Sequence, residues 1–205
     1  MRYFVLTFSI LIIVSCSKNQ HSYSDQQVVQ FNQDFEKYVI EKNDYCKSAD
    51  SPLLKDDIPD FTGLHYYDYD PNFRFEGPIQ IYENPDTVII YGSKKDERPS
   101  VKYGYFEFSF NEKNHQLQIF KILPRKPQQS NYLFLGFTDA TSNEETYGGG
   151  RYINLDLNEE NFYIVDFNYA YNPYCAYNPK YSCAIPSREN HLSIAIAAGE
   201  KKYHD

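Results

Sequence analysis

Between Val101 and Phe110, the residues Phe106, Phe108 and Phe110 alternate with Tyr105, Glu107 and Ser109. A period of two with rings on one side suits a strand that buries one face, and an amphipathic helix does not fit it. Asn111-Glu112-Lys113-Asn114 then reads as a turn, and Leu117, Ile119 and Lys121 alternate with Gln118, Phe120 and Ile122 on the return. Thr87 to Tyr91 is a further β-branched run, closed by Gly92. Tyr132 to Phe137, Tyr152 to Leu157, Phe162 to Phe167 and Leu192 to Ala197 supply four more strand candidates. The polar turn Asn158-Glu159-Glu160-Asn161 joins the middle two and predicts a hairpin. Strands joined by short turns are antiparallel, so the expected fold is mainly β within an α+β class. It is an antiparallel β-sandwich or partly closed barrel with one N-terminal amphipathic helix. With 21 Tyr, 15 Phe, one Met and no Trp, its core is built from aromatic and β-branched side chains, which suit a pleated surface.

The helix is expected from Asp25. Val28, Phe31, Phe35, Tyr38 and Val39 recur at intervals of three and four, Ser24 or Asp25 is placed to cap, and the pattern ends near Lys42. A short second helical turn is expected at Ser51-Pro52, ended by Pro59.

Ahead of the helix, Met1 and Arg2 precede an apolar run from Tyr3 to Val14. Crossing a bilayer as a helix takes about 20 apolar residues, so this run reads instead as a secretory signal. It stops at Ile13-Val14-Ser15-Cys16, which resembles the lipobox of bacterial lipoproteins. Residues 1–15 are therefore expected to be a signal peptide, Cys16 a lipidation site and residues 16–24 a tether to a single globular domain at 25–205. The expected location is the cell envelope, with the domain lipid-anchored to a bacterial membrane. Twenty Lys+Arg stand against 28 Asp+Glu, a formal charge of −8. That acidity argues against nucleic acid as a partner and against electrostatic binding to anionic lipid.

Two segments exceed what a strand pattern needs. In the first, Phe137 to Tyr152, three successive glycines, Gly148 to Gly150, precede Arg151. Such a turn can present N–H groups to an anion, with Arg151, Glu145 and Tyr147 beside it. It equally suits a bulge entering a strand, with Arg151 paired to Asp139 or Glu145. The spacing is not that of a phosphate loop or a dinucleotide fingerprint, and no cofactor is expected. The second segment runs from Asp166 and Asn168 through Asn172-Pro173, Cys175, Tyr177 and Asn178-Pro179 to Cys183. Its two Asn-Pro steps dictate an ordered loop. A disulfide between Cys175 and Cys183 would contribute at most about 3 kcal/mol. Structural zinc cysteines come in closer pairs, so no metal site is expected, and Cys46 reads as a packing residue.

These segments resemble the bacterial family called domain of unknown function 1684. The resemblance rests on Glu145-Thr-Tyr-Gly-Gly-Gly-Arg-Tyr152, Asp166-Phe-Asn168, Asn172-Pro173, Cys175-Ala-Tyr-Asn-Pro179, Cys183, Glu189-Asn190 and Ala198-Gly-Glu-Lys201. It implies a shared fold and carries no catalytic role. The chain departs from the pattern at Gly136, Tyr174, Ser142-Asn143 and Ala184-Ile185. Members without export signals resemble this chain at both cysteines, which sets a reduced pair at a functional site beside the disulfide.

Three classes of function follow. The first is an envelope module that binds a small acidic ligand, a glycan or a protein partner. Its ligand-binding residues would be Arg151, Asp166, Asn168, Asn172, Cys175, Tyr177, Glu145, Tyr147 and Glu189, with Tyr171 adding a ring. The second is a hydrolase- or transferase-like enzyme using Cys175 with Asp139, Glu145, Asp166 or Glu189, for which no histidine stands at a telling spacing to act as base. The third is a tethered scaffold with no ligand. In the binding reading, Arg151 and the Asp166 to Cys183 loop meet at one end of the expected Tyr152–Phe167 hairpin.

Overall fold

The computed structural model describes residues 22–123 and 132–204. The signal, Cys16 and most of the tether lie outside the described residues. Helix α1 spans Asp25–Lys47. Ser24 caps it reciprocally: its Oγ accepts from the Gln27 N–H at 3.3 Å, while its own N–H donates to Gln27 Oε1 at 3.0 Å. The helix continues five residues beyond Lys42 because Cys46 still finds a buried contact, among Leu53, Leu64 and Tyr177. Ser51-Pro52 forms no helix. The nearby 3-10 turn is Ile58–Asp60, so Pro59 starts a turn instead of ending one.

Among the described residues eight strands follow: β1 Arg74–Gly77, β2 Ile79–Ile81, β3 Thr87–Tyr91, β4 Glu97–Phe110, β5 Lys113–Ile122, β6 Tyr132–Phe137, β7 Arg151–Asp156 and β8 Tyr163–Asp166. Strands β2, β4, β5, β6 and β7 lie side by side in that order, with β3 also pairing β4; β1 and β8 form a second sheet. All these pairs are antiparallel. The result is a two-sheet, sandwich-like α+β fold without a closed barrel. The alternation read at Phe106 and Phe108 holds, with both rings in the main core together with Leu117, Ile119, Leu133, Leu135, Ile153 and Leu155. The β4–β5 turn is tighter than the four-residue reading. Asn111 and Glu112 have φ of 49° and 61°, the left-handed pair of a two-residue hairpin.

The Tyr152–Phe167 hairpin does not form. Strand β7 pairs with β6, and β8 pairs with β1, Arg74 standing opposite Asp166. The reason is in the core, where Tyr163, Val165 and Phe167 belong to the same cluster as Ile153 and Leu155. Burying both sets together places the two strands in facing sheets. The Asn158–Asn161 turn is the corner between those sheets, and Asn161 Nδ2 ties it to the Ile79 carbonyl at 3.0 Å. Leu192 to Ala197 is irregular; Leu192 and Ile196 are buried in the core all the same.

Strand β7 is the edge of the larger sheet. Beyond β8 the chain returns along it, pairing Tyr171 with Tyr152 through N–H···O bonds of 2.9 and 3.0 Å. It then crosses the outer face of the sheet to Gly92, which bridges to Ala184. Beneath this crossing, Ile90, Phe120, Phe134 and Ala184 form a separate apolar cluster, flanked by Ile122 and Tyr152. The helix packs against the start of the crossing through Phe35, Tyr38 and Tyr169.

Candidate functional site

Arg151 is 1% exposed. Its Nη2 donates to Asp139 Oδ2 at 2.8 Å and to the Ile196 carbonyl at 2.9 Å, and its Nη1 donates to the Ala198 carbonyl. Burial pulls the guanidinium pKa down, and Asp139 opposes that. Asp139 Oδ1 accepts from the Thr141 N–H and hydroxyl at 2.8 and 2.6 Å, so both carboxylate oxygens are engaged. This buried ion pair joins the start of β7 to the C-terminal segment through both terminal nitrogens of Arg151, while its Nε is buried without a partner among the described residues. The expected meeting of Arg151 and Asp166 is therefore corrected: Asp166 pairs with Arg74 at 3.2 Å and also accepts from the Tyr69 hydroxyl. Burial raises the Asp166 pKa against the donors of Asn168 and Arg74.

The remaining predicted residues do not converge on one place. Asn168 is buried and braces the start of β1, donating to the Asp70 carbonyl and accepting from the Asp70 N–H at 2.8 and 2.9 Å. Asn172 and Tyr177 converge on Glu200, which the sequence marks only as part of the family pattern. Tyr177 donates to Glu200 Oε1 at 2.6 Å, and Asn172 donates through Nδ2 and its backbone N–H at 2.8 and 3.0 Å. Glu145 accepts from Tyr67 at 2.7 Å and Glu189 from Lys102 at 2.6 Å, both at the surface. Tyr147 reaches Cys175, its hydroxyl 3.8 Å from Sγ. Arg151, Asp166, Asn168, Asn172 and Tyr177 are thus buried and bonded to other parts of the chain, and none of them lines the open cleft on the outer face of the large sheet. None of the four carboxylates proposed to assist Cys175 is bonded to it; Asp139, Glu145, Asp166 and Glu189 have the partners just named. His191 bonds Thr138, and His115 stacks on Phe108.

Of the three glycines, only Gly150 has a positive φ, 88°. A Cβ there would stand 2.6 Å from the Phe137 carbonyl oxygen, which accounts for glycine without any ligand.

An open space lies elsewhere, on the outer face of the large sheet beneath the loop crossing. It is a cleft of about 530 Å³. Its floor is apolar, with Ile122, Phe134 and Ala184, and its walls carry the rings of Tyr152, Tyr171, Tyr174 and Tyr181. Two cations line it: Lys42 from the last turns of α1, and Arg98 from β4. Lys42 Nζ rests 4.7 Å from the Tyr171 ring centre and 5.4 Å from that of Tyr38. Burial lowers its pKa, with Glu200 opposing, and it makes no ion pair or hydrogen bond among the described residues. Arg98 donates from Nε to Asp96 at 3.1 Å and from Nη2 to the Ser182 carbonyl at 2.6 Å, which leaves Nη1 without a partner among the described residues. Asp156 supplies a carboxylate at the same cleft. Of the residues that the sequence offers for ligand binding or thiol chemistry, Tyr171 and Cys183 line it. Lys42 had been read as the end of a helix, and Arg98 carried no motif, so no local signal pointed to either.

Fold and cleft together define a two-sheet α+β domain with an outer-face concavity that is walled by tyrosine and holds two cations. Residues 59–201 match the family described as "Protein of unknown function (DUF1684)", and the chain belongs to that family. An uncharacterized protein of Haloarcula marismortui, solved by solution NMR, has a similar structure. It is 29% identical, with a TM-score of 0.65 over 87% of this chain and 97% of that one. No curated protein matches.

Proposed function

We propose that the domain is a binding module for a small acidic ligand with a flat body, such as an aromatic or sugar acid, held in the outer-face cleft. The observation that carries this reading is Lys42, a half-buried ammonium that feels the buried Glu200 carboxyl but makes no ion pair or hydrogen bond among the described residues, facing a cavity that also holds the Arg98 guanidinium. Desolvating a cation costs free energy that an anion entering the cleft would recover. The tyrosine walls add faces for a ring, and the volume falls in the range of ligand sites, roughly 300–1,000 Å³.

Benzoate, glucuronate and inorganic phosphate are suitable probes. A ligand that binds only the folded state raises the melting temperature, and saturation at a hundred times Kd stabilises by about 2.7 kcal/mol. At least one organic acid is expected to stabilise the protein, with phosphate weaker. Lys42→Ala and Arg98→Ala should each abolish most of that shift, measured against the melting temperature of the same variant without ligand. An unchanged shift in both variants, or no response to any of the three, overturns the reading.

We infer further that the chain is a lipoprotein anchored through Cys16 at a bacterial membrane, with the short signal and the lipobox-like Ile13-Val14-Ser15-Cys16 in support. Mass spectrometry of protein from its native host should find a diacylated or triacylated N-terminus at Cys16. An unmodified N-terminus at any other residue contradicts it.

A further inference from the structure

Cys175 and Cys183 sit side by side as free thiols on the half-exposed loop crossing. The Cys175 N–H donates to Cys183 Sγ at 3.1 Å. Cys183 is fixed to the large sheet: its N–H donates to Ser93 Oγ at 3.2 Å, and its carbonyl accepts from the Ser93 N–H at 2.8 Å. Cys175 is surrounded by hydroxyl and thiol donors, with Tyr147 on one side and Cys183 and Ser93 also in reach. Neither sulfur is used by the binding reading above, beyond Cys183 forming part of the cleft wall.

We propose that Cys175 and Cys183 are a redox-active dithiol that exchanges with low-molecular-weight disulfides, Cys175 attacking and Cys183 resolving. The two roles follow from the asymmetry of the pair. The donors around Cys175, Cys183 first and then Tyr147 and Ser93, pull its pKa down against burial and so favour its thiolate. Cys183 is shifted the other way, since its proton is held in the bond to Cys175. Cys46, by contrast, is 2% exposed and pushed up to about 11 by burial, which makes it an internal reference for an inert thiol.

In the first step the Cys175 thiolate attacks one sulfur of the small disulfide. The S–S bond breaks, a mixed disulfide forms on Cys175, and the departing thiolate takes the Cys183 proton. The Cys183 thiolate then attacks Cys175 Sγ and expels the second small thiolate, which takes a proton from water to replace the one Cys175 had lost. The protein dithiol has given up two electrons and the small disulfide has become two thiols.

The test uses the full-length chain, reduced with dithiothreitol and desalted. At pH 7 iodoacetamide should alkylate Cys175 at least ~100-fold faster than Cys46, and the pH midpoint of that reaction should lie well below that of an ordinary thiol. After incubation with oxidised glutathione, peptide mapping should find a Cys175–Cys183 cross-link that dithiothreitol reopens in the folded protein. Cys183→Ser should stop at glutathione on Cys175, and Cys175→Ser should leave Cys183 unmodified. Cys183→Ala provides a second trap should the serine perturb the bond from the Cys175 N–H, and the wild-type map depends on neither variant. Recovery of both cysteines as unmodified thiols overturns the proposal, as does glutathione on Cys183 in Cys175→Ser, or a cross-link that the folded protein keeps under dithiothreitol.

Discussion

Glu200 is the residue whose ionisation the fold perturbs most usefully. It is 1% exposed, and burial pushes its carboxyl up to about 7 against the donors of Tyr177 and Asn172. Lys42 also opposes the shift, while Tyr38, Tyr66 and Cys46 feel the carboxylate from the surrounding helix and loop. The folded carboxyl keeps its proton to higher pH than the unfolded one, near 4.5, so unfolding releases a proton between these values. Stability therefore falls as pH rises through that window, by about 3 kcal/mol in all from this group. Urea unfolding from pH 4.5 to 8 should show the decline, and Glu200→Gln should flatten it, although the amide loses the acceptor that takes the Asn172 N–H. A Glu200 carboxyl carbon that titrates by NMR near an ordinary glutamate contradicts the assignment. The sequence marked Glu200 only as part of a family pattern, because the residues that desolvate it come from α1, the Asn172–Tyr177 loop and Tyr66. Arg151 was conspicuous for the opposite reason: a run of glycines advertises a turn but does not say whether the following guanidinium faces water or Asp139.

Among elements, the turn entering β7 tests that distinction. Gly150 alone of the three glycines has a left-handed backbone, and a side chain there meets the Phe137 carbonyl and Pro186 at 2.6 and 2.7 Å. Gly150→Ala should cost roughly 1–3 kcal/mol in chemical unfolding, and Gly149→Ala less, because its obstacle is the ring of the half-exposed Tyr147. Equal effects at both positions contradict this account of the turn. Period-two alternation made β4 and β5 legible, since each strand's two faces differ in chemistry: Leu117 and Ile119 enter the main core, and Phe120 and Ile122 enter or flank the outer cluster. The pairing of β7 and β8 was not legible. A four-residue polar connection suits a hairpin or a corner equally, and the choice fell to long-range burial of Tyr163 and Val165 opposite Ile153 and Leu155. Leu192 and Ile196 show the same limit, because apolar spacing reports burial and says nothing of whether a ladder partner exists.

At the scale of the whole molecule, the two-sheet sandwich was foreseen and the cleft was not. The cleft exists because the Tyr171–Ala184 segment leaves the edge of β7 and spans the outer face of the large sheet, with α1 bringing Lys42 to one wall and β4 bringing Arg98. These two cations are 56 residues apart in a chain of net charge −8, so neither local spacing nor overall charge could associate them. Of the motifs that carry the family resemblance, Asn172 with Glu200 ties down the segment that roofs the cleft, while Arg151 and Asn168 fasten the C-terminal segment and the approach to β1. The most direct measurement is a titration of isotope-labelled protein with glucuronate, following backbone amide and lysine side-chain signals by NMR. The account predicts saturable shifts concentrated at Lys42, Arg98, Tyr152, Tyr171 and Ser182, and their loss in Lys42→Ala. Shifts centred instead on Gly148 to Arg151, or none at saturating glucuronate and benzoate, would contradict it.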